Sequence, residues 1–306
     1  MTETLAELLR ALDAEGYQFT CVTPRTHHRI LRRRSGESAG DLRDVFGWNL
    51  PFARDLLPGP LLDLLRQADA VETVAEGYRS RLRVAELDGR LFVHSAFPTD
   101  DEDSVFFGPD TYRFMRFLSC EMADHGPIEM LVDVGAGSGA GGITAAGTLE
   151  PGKLVLLDIN PKALTLAAGN AMAAGVDAEL VEGTLDRLEQ PADLIIANPP
   201  FIADPAGRTY RDGGADQGAG VSLDWARQGM AKLAEGGAML LYTGSPIVAG
   251  EDRLLAALAE AVDEAGCSLS YQELDPDIFG EELDGEAYAG AGVERIAAVG
   301  AVLRRA

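Results

Sequence analysis

The stretch Ile128-Glu-Met-Leu-Val-Asp133-Val-Gly135-Ala-Gly137-Ser-Gly139 joins an apolar run to a glycine-rich turn. The run Ile128–Val134 predicts a buried strand. Glycines placed after a strand let the backbone approach a ligand closely, at the carboxyl edge of a sheet where a helix begins. Read through Ala140, the turn also fits Gly-x-Gly-x-x-Ala, an accepted dinucleotide fingerprint. Alone, it indicates a nucleotide-type ligand or merely a tight strand-to-helix turn.

Strand and helix patterns alternate on both sides of this turn, which predicts an α/β fold with a parallel sheet covered by helices on both faces. The further predicted strands are Lys153–Leu157, Leu180-Val181, Leu194–Ala197, Met239–Tyr242, Ser268–Leu274 and Ile296–Leu303. The predicted helices lie between Asn160 and Gly175, over Val221–Ala234 and over Glu251–Ala265.

Asp158 follows the second strand, 23 residues after Gly135. A carboxylate in this place can accept hydrogen bonds from both hydroxyls of an adenosine ribose. The alternative is an ordinary acid at a helix N-terminus, which the helix dipole favours. Because the glycine turn precedes it, we favour ribose binding.

The four residues Asn198-Pro199-Pro200-Phe201 follow the strand Leu194–Ala197. Two prolines after a strand make a stiff, extended turn that fixes the Asn198 side chain and the Pro199 carbonyl. Together these groups offer two acceptors for the two hydrogens of a planar NH2 group, and Phe201 offers a flat surface against which it can stack. The four residues are therefore the candidate catalytic residues, with a rigid surface loop as the alternative.

These motifs resemble those of class I S-adenosylmethionine-dependent methyltransferases, over about residues 105–303. The Asn-Pro-Pro-aromatic motif is similar to that of amide and amine N-methyltransferases, including HemK-type release factor glutamine methyltransferases and the methyltransferase small domain enzymes acting on RNA. Phe107-Gly-Pro109-Asp110-Thr111 resembles the segment preceding the HemK core. The resemblance implies a Rossmann-like fold with a seven-stranded, mostly parallel sheet and S-adenosyl-L-methionine as cofactor. The cofactor-binding residues that it implies are Thr111, Asp133, Gly135, Ala136, Gly137, Gly139, Asp158, Ile159, Gly183, Thr184 and Asn198.

Some residues depart from the HemK pattern. Thr184 stands where the family often has an acid that meets the adenine amino group. Gly108 replaces an arginine and Tyr112 replaces a glutamate. These departures weaken the case for release factor glutamine as the acceptor. The glycine-rich segment 208–214, after the proline motif, is well placed for a mobile lid or is an ordinary loop.

The first 100 residues predict a separate, small α+β domain. Leucines at 5, 8, 9 and 12 indicate a helix; Asp41–Phe46 and Pro60–Ala68 indicate two more. Asp88-Gly89 between alternating apolar residues indicates a hairpin. Helices followed by a hairpin resemble a winged-helix-like substrate-recognition domain. We expect the acidic stretch 100–103 to be a solvated linker to the methyltransferase domain, residues 105–306.

Charge is distributed unevenly along the 306 residues, whose net charge is −23. Residues 1–90 hold 13 basic and 14 acidic residues, whereas residues 91–306 hold 13 and 35, a net charge of −22. Such a surface repels phosphate backbones and membranes. We expect a cytoplasmic chain with no membrane span, no metal site and no disulfide, since Cys21, Cys120 and Cys267 indicate buried free thiols. The sequence leaves the oligomeric state open.

The one basic cluster, Arg25–Arg34, indicates either phosphate contacts or a solvated arginine-rich segment. Overall the sequence predicts an N-methyltransferase with a macromolecular acceptor. The hairpin domain favours RNA slightly, whereas the acidity favours protein. A small-molecule N-methyltransferase, or a nucleic-acid-binding regulator with a vestigial core, is the alternative. If RNA is the acceptor, Arg32, Arg33 and Arg34 are the candidate phosphate contacts.

Overall fold

The computed structural model describes residues 1–75, 77–123, 126–204 and 211–306. Its C-terminal two thirds contain a sheet with seven strands in a row and a further strand of two residues paired beside one of them. The strands are β5 (Met130–Val134), β6 (Lys153–Asp158), β7 (Glu179–Glu182), β8 (Ala192–Ala197), β9 (Leu233–Val248), the short β10 (Glu251–Asp252), β11 (Cys267–Asp275) and β12 (Val293–Arg305). The helices are α5 (Pro109–Glu121), α6 (Ala140–Leu149), α7 (Pro161–Ala174), α8 (Gly220–Lys232) and α9 (Arg253–Ala265).

The strand order across the sheet is β7-β6-β5-β8-β9-β12-β11. All neighbours are parallel except β12, which is antiparallel to both β9 and β11. The predicted Rossmann-like sheet of seven mostly parallel strands is therefore confirmed.

Residues 1–95 form four helices and two hairpins in the described chain. The helices are α1 (Thr2–Ala14), α2 (Pro24–Arg33), α3 (Leu42–Phe46) and α4 (Gly59–Gln67). The hairpins pair β1 (Val71–Val74) with β2 (Gly77–Ser80), and β3 (Leu82–Leu87) with β4 (Arg90–Ser95). Asp88 and Gly89 both have positive φ at the predicted turn, as a two-residue type I′ hairpin requires. The winged-helix-like character of this part remains a prediction.

Residues 1–95 pack on helix α7, which in turn packs on β6 of the sheet. Leu5, Phe46 and Val84 belong to the same buried cluster as Leu131 and Leu156. At Gly169 on α7, an added Cβ would lie 2.7 Å from the Leu5 Cβ, so α1 and α7 approach closely because this position has no side chain. The division into two domains at about residue 100 remains a prediction, and the structure gives the two parts one continuous core.

The acidic stretch 100–103 does more than link the two parts. The Asp103 carboxylate forms an ion pair with Lys162 at 2.9 Å, and its backbone carbonyl accepts a hydrogen bond from the Asn160 side chain at 2.9 Å. Asp103 is thus attached to the start of α7. All four residues of the stretch are exposed, as expected of a solvated segment, and its role as a linker between two domains remains a prediction.

The cysteines differ in exposure: Cys21 is buried, Cys120 is exposed and Cys267 is half-buried. The expectation of buried thiols therefore holds for Cys21 and is wrong for Cys120. In the part of the chain that the structure describes, no helix is both long and apolar enough to span a bilayer. The same residues form no cluster of three potential metal ligands.

Candidate active site

A cleft of about 1190 Å³ opens at the carboxyl ends of β5, β6 and β8. It brings together all but one of the site residues predicted from the sequence. Those lining it are Thr111, Asp133, Gly135, Ala136, Gly137, Asp158, Ile159, Gly183, Thr184, Asn198, Pro199, Pro200 and Phe201. Gly139 is the exception. An added Cβ there would meet the Ile143 side chain at 2.8 Å, so this glycine serves helix packing rather than the cleft wall.

The glycine turn lines the cleft mainly with backbone atoms. Gly135 and Gly137 have φ of 67° and 56°, the left-handed region that favours glycine. The Gly135 and Ala136 amides donate to the Leu157 carbonyl at 2.8 and 3.0 Å, which ties the turn to the end of β6. A Cβ at Gly135 would lie 2.5 Å from the Trp225 ring. The turn therefore needs a residue without a side chain at Gly135, because the Trp225 indole packs directly on its backbone.

Asp133 is buried below this turn. Its Oδ2 accepts a hydrogen bond from the Gly142 amide at 2.7 Å, which satisfies a free donor in the first turn of α6. Burial raises the pKa of its carboxyl to about 7. Asp133 thus holds α6 against β5, at the base of the cleft.

Asp158 stands at the cleft wall, where β6 ends. Its two carboxylate oxygens accept hydrogen bonds from the Gly137 and Asn160 amides, both at 2.8 Å. Each carboxylate oxygen has a second lone pair, so it can also accept from a ribose hydroxyl. The neighbouring Ile159 is 55% exposed and offers an apolar surface to a flat base. This arrangement fits the adenosine part of S-adenosylmethionine.

Thr184 lines the cleft two residues after the end of β7. The preceding Gly183 donates its amide to the Asp158 carbonyl at 3.0 Å. The Thr184 hydroxyl donates to the Asp186 carboxylate, so its oxygen keeps lone pairs that can accept from an adenine amino group. At position 184 a hydroxyl therefore stands where the family often has an acid, and this hydroxyl is hydrogen-bonded to the Asp186 carboxylate. Asp186 was not predicted from the sequence.

Replacing Asp158 by alanine should weaken S-adenosylmethionine binding by about 10- to 150-fold. The reason is the loss of hydrogen bonds to a charged acceptor, on the order of 1.5–3 kcal/mol. Calorimetric titration measures the affinity, and Asp177→Ala, which removes an exposed acid outside the cleft, is the matched control. Equal affinity in Asp158→Ala and the parent would remove Asp158 from the site.

Asn198 follows β8 directly and is half-buried at the cleft. Its side-chain amide makes no hydrogen bond to any residue that the structure describes. Pro199 is buried and Pro200 half-buried, which fits the stiff turn predicted from the two prolines. As far as the described residues show, the side-chain oxygen of Asn198 is therefore open to a ligand.

Phe201 is only 7% exposed, although it lines the cleft. Its ring packs on Gly244 of β9, where an added Cβ would lie 2.3 Å from the Phe201 Cδ2. The Phe279 ring meets it edge-on, with ring centroids 5.7 Å apart. Less of the ring is thus free for stacking than the sequence suggested, and its position depends on Gly244 and Phe279.

Gly244→Ala should displace the Phe201 ring and cut turnover by up to about 10²-fold, since small displacements of reacting groups are costly. Cofactor affinity should stay unchanged. The matched control is Gly300→Ala, whose Cβ would clash at 2.5 Å with Phe117, a ring outside the cleft. We expect both variants to lose about 1–3 kcal/mol of stability, and only Gly244→Ala to lose turnover. Equal turnover in the two variants would contradict the role given to Phe201.

Two further cleft residues, Trp225 and Asp110, were not among the site residues predicted from the sequence. Trp225 reaches Gly135 from α8. Asp110, buried at the start of α5, accepts hydrogen bonds from the Tyr242 hydroxyl at 2.7 Å and from Arg113 at 3.4 Å. Burial raises the pKa of the Asp110 carboxyl. The resemblance pointed to the segment with Asp110, but no sequence signal connected it to Tyr242.

The predicted lid spans residues 208–214, of which residues 208–210 lie outside the described part of the chain. Arg211 forms an ion pair with Glu282 at 2.7 Å, and its carbonyl accepts from the Ile202 amide at 3.0 Å. The end of the segment is therefore attached beside the proline motif. The lid itself remains a prediction.

The strand order and the glycine turn are those of class I S-adenosylmethionine-dependent methyltransferases, and comparisons with known proteins agree. The family model of the methyltransferase small domain matches residues 115–213. A release factor glutamine methyltransferase of Cereibacter sphaeroides is 31% identical, over 74% of this chain and 81% of its own length. One from Deinococcus radiodurans is 28% identical, over 71% and 77%. The crystal structure of Trm5b from Pyrococcus abyssi shares the fold, with TM-score 0.50 and 17% identity, over 76% of this chain and 62% of that one.

The chain belongs to the HemK-type family of S-adenosylmethionine-dependent methyltransferases.

Proposed function

We propose that this chain methylates the nitrogen of a planar NH2 group in a macromolecular acceptor, and that the acceptor is the side-chain amide of a protein glutamine. The observation that carries the proposal is the Asn198 amide, open at the cleft and held by two prolines. Both relatives described above are named release factor glutamine methyltransferases. They favour protein over RNA, and the slight preference for RNA drawn from the sequence is not confirmed.

The proposed chemistry divides between the two ends of the cleft. The glycine turn, Asp158 and Thr184 hold the adenosine end of the cofactor, which when bound supplies a methyl group on a sulfonium for in-line displacement. At the other end, the Asn198 side-chain oxygen and the Pro199 carbonyl each accept one hydrogen of the acceptor NH2.

Holding both hydrogens fixes the plane of the acceptor and directs the nitrogen lone pair toward the methyl carbon. The lone pair of an amide is delocalised, which makes the nitrogen a weak nucleophile, so holding it in line with the methyl carbon favours its attack. No general base is needed when the proton leaves after the transfer. Asn198 and Pro199 would hold both hydrogens during the transfer, and one proton would leave the nitrogen to water afterwards. The two oxygens also stabilise the positive charge that grows on the nitrogen.

A labelling experiment tests the proposal and separates it from its alternatives. The protein is incubated with S-adenosylmethionine carrying a labelled methyl group and with extract of cells that lack this chain. We expect protease, and not nuclease, to release the label from large molecules, and mass spectrometry to find it on a glutamine. Release by nuclease would overturn the protein acceptor. Label only in the low-molecular-mass fraction would overturn a macromolecular acceptor altogether.

A further inference from the structure

The cleft has a basic wall that the methyl-transfer residues do not use. Arg25, His28, Arg29 and Arg32 of α2 line the same cleft as Asn198. Their spacing of three and four residues places them on one face of the helix. Arg25 and Arg32 are separated by seven residues, so the basic face extends over about 10 Å at 1.5 Å per residue. We call these four residues the basic face of α2.

The opposite side of α2 is anchored, which fixes the direction of the basic face. His27 is buried, and its Nε2 lies 3.1 Å from the Trp48 carbonyl. Its ring contacts those of Trp48 and Phe97, with centroids 5.3 and 4.2 Å apart. Burial lowers the pKa of His27 to about 3, so this histidine stays neutral. The helix is thus held by an uncharged side and presents its charges to the cleft.

The arginines of the basic face have no ion-pair partner among the residues that the structure describes, and all three are exposed. Arg34 differs, because it pairs with both Asp44 and Glu37. Helix α2 itself contains no acidic residue. Guanidinium groups without an ion-pair partner in the described part of the chain therefore concentrate at the site, although the net charge of the chain is −23.

We propose that the basic face of α2 binds the carboxylates of an acidic segment that accompanies the target glutamine in the acceptor protein; the inference rests on the proposed function above. Planar guanidinium groups bind carboxylates with two parallel hydrogen bonds. A peptide can place its acids at α2 and neutral residues elsewhere.

A nucleic acid strand fits this cleft less well than such a peptide. Carboxylates line the rest of the cleft, and a strand carries a phosphate at every nucleotide. The acidic lining residues are Asp110, Asp133, Asp158, Asp212, Glu281 and Glu282. A strand that continued past α2 would meet those of them that are neither buried nor paired with Arg211, namely Asp158, Asp212 and Glu281, since charges within a Debye length of about 8 Å interact at physiological salt.

The test compares two variants that lose the same charge. Arg25, Arg29 and Arg32 are replaced by glutamine in one; in the control, Arg33, Arg116 and Arg227, which are exposed outside the cleft, are replaced by glutamine. The probes are fluorescent peptides that contain one glutamine beside a run of glutamates or of serines, and a single-stranded oligouridylate. Fluorescence anisotropy gives each dissociation constant at low and high salt, and methylation of each peptide is measured separately.

We expect the parent protein to bind the glutamate peptide about tenfold more tightly than the serine peptide at low salt, as three exposed ion pairs of ordinary strength allow. This preference should persist in the control variant and disappear in the cleft variant. Equal binding of the two peptides, or an equal loss in both variants, would overturn the proposal. Tighter binding of the oligouridylate that depends on the same three arginines would overturn it in favour of RNA. A peptide that binds as expected and is never methylated contradicts the proposed function instead.

Discussion

Replacing Asn198 by alanine should lower turnover by about 10²–10³-fold, the usual cost of losing one preorganised polar contact to a reacting group. The affinity for S-adenosylmethionine should stay nearly the same, because the glycine turn and Asp158 are unchanged. The fold should also survive, since the Asn198 side chain makes no hydrogen bond to the described residues. Single-turnover methylation and calorimetric titration of the cofactor measure the two effects.

The variant Asn198→Asp tests whether the Asn198 side chain acts by accepting a hydrogen bond from the acceptor NH2 or only by filling space in the cleft. It has the same shape and keeps a side-chain oxygen as acceptor, so it should retain more activity than Asn198→Ala. Phe201→Tyr should be mild, because the aromatic surface remains. If Asn198→Ala methylates as fast as the parent, the acceptor nitrogen is bound elsewhere in the cleft and our assignment is wrong.

The sheet and the cofactor side of the cleft could be predicted because their signals are local. The glycine turn, Asp158 and the proline motif each follow a strand directly, and the carboxyl ends of neighbouring parallel strands meet at one edge. Helix α5 was missed although its pattern was present, since Phe114, Phe117 and Leu118 are buried at helical spacing. The β1–β2 hairpin was missed because its first strand is half-buried or exposed throughout and lacks a clear alternation.

The acceptor side could not be predicted from local patterns, because tertiary packing creates it. Arg32, Arg33 and Arg34 are consecutive in sequence, and the sequence suggested that they act together. A helix turns consecutive side chains about 100° apart, so only Arg32 lines the cleft and Arg34 pairs with Asp44. Arg25 and Arg29 lie on the same helix face as Arg32 and also line the cleft. The packing of the buried side of α2 determines the direction of that face.

Asn170→Ala should destabilise the protein by roughly 3–5 kcal/mol, the largest stability loss that we expect from a single side chain. Asn170 is fully buried on α7, where its side chain joins three segments. Its Nδ2 donates to the Val93 and Ser138 carbonyls at 3.0 and 2.7 Å, and its Oδ1 accepts from the Val93 amide at 2.8 Å. Alanine leaves three buried backbone groups unpaired, and near the lower end of the about 1–3 kcal/mol that each can cost, the sum is already a large share of an ordinary folding free energy of about 5–15 kcal/mol.

Urea unfolding of the parent and the variant measures this loss as a shift of the midpoint at constant slope. The matched control on the same helix is Asn160→Ala, which removes an N-cap whose oxygen accepts from the Lys162 amide at 3.0 Å and should cost about 1 kcal/mol. Asn170→Asp keeps the shape and the oxygen that accepts from Val93, but it loses both donors and places a buried carboxyl oxygen against two carbonyl oxygens, so its loss should be at least as large as that of Asn170→Ala. Since Ser138 belongs to the glycine turn and Val93 to the β4 strand, a large loss would show that Asn170 couples the N-terminal hairpin to the cofactor site. A loss in Asn170→Ala no greater than that in Asn160→Ala would mean that water or a neighbouring group satisfies the freed backbone, and that this coupling is absent.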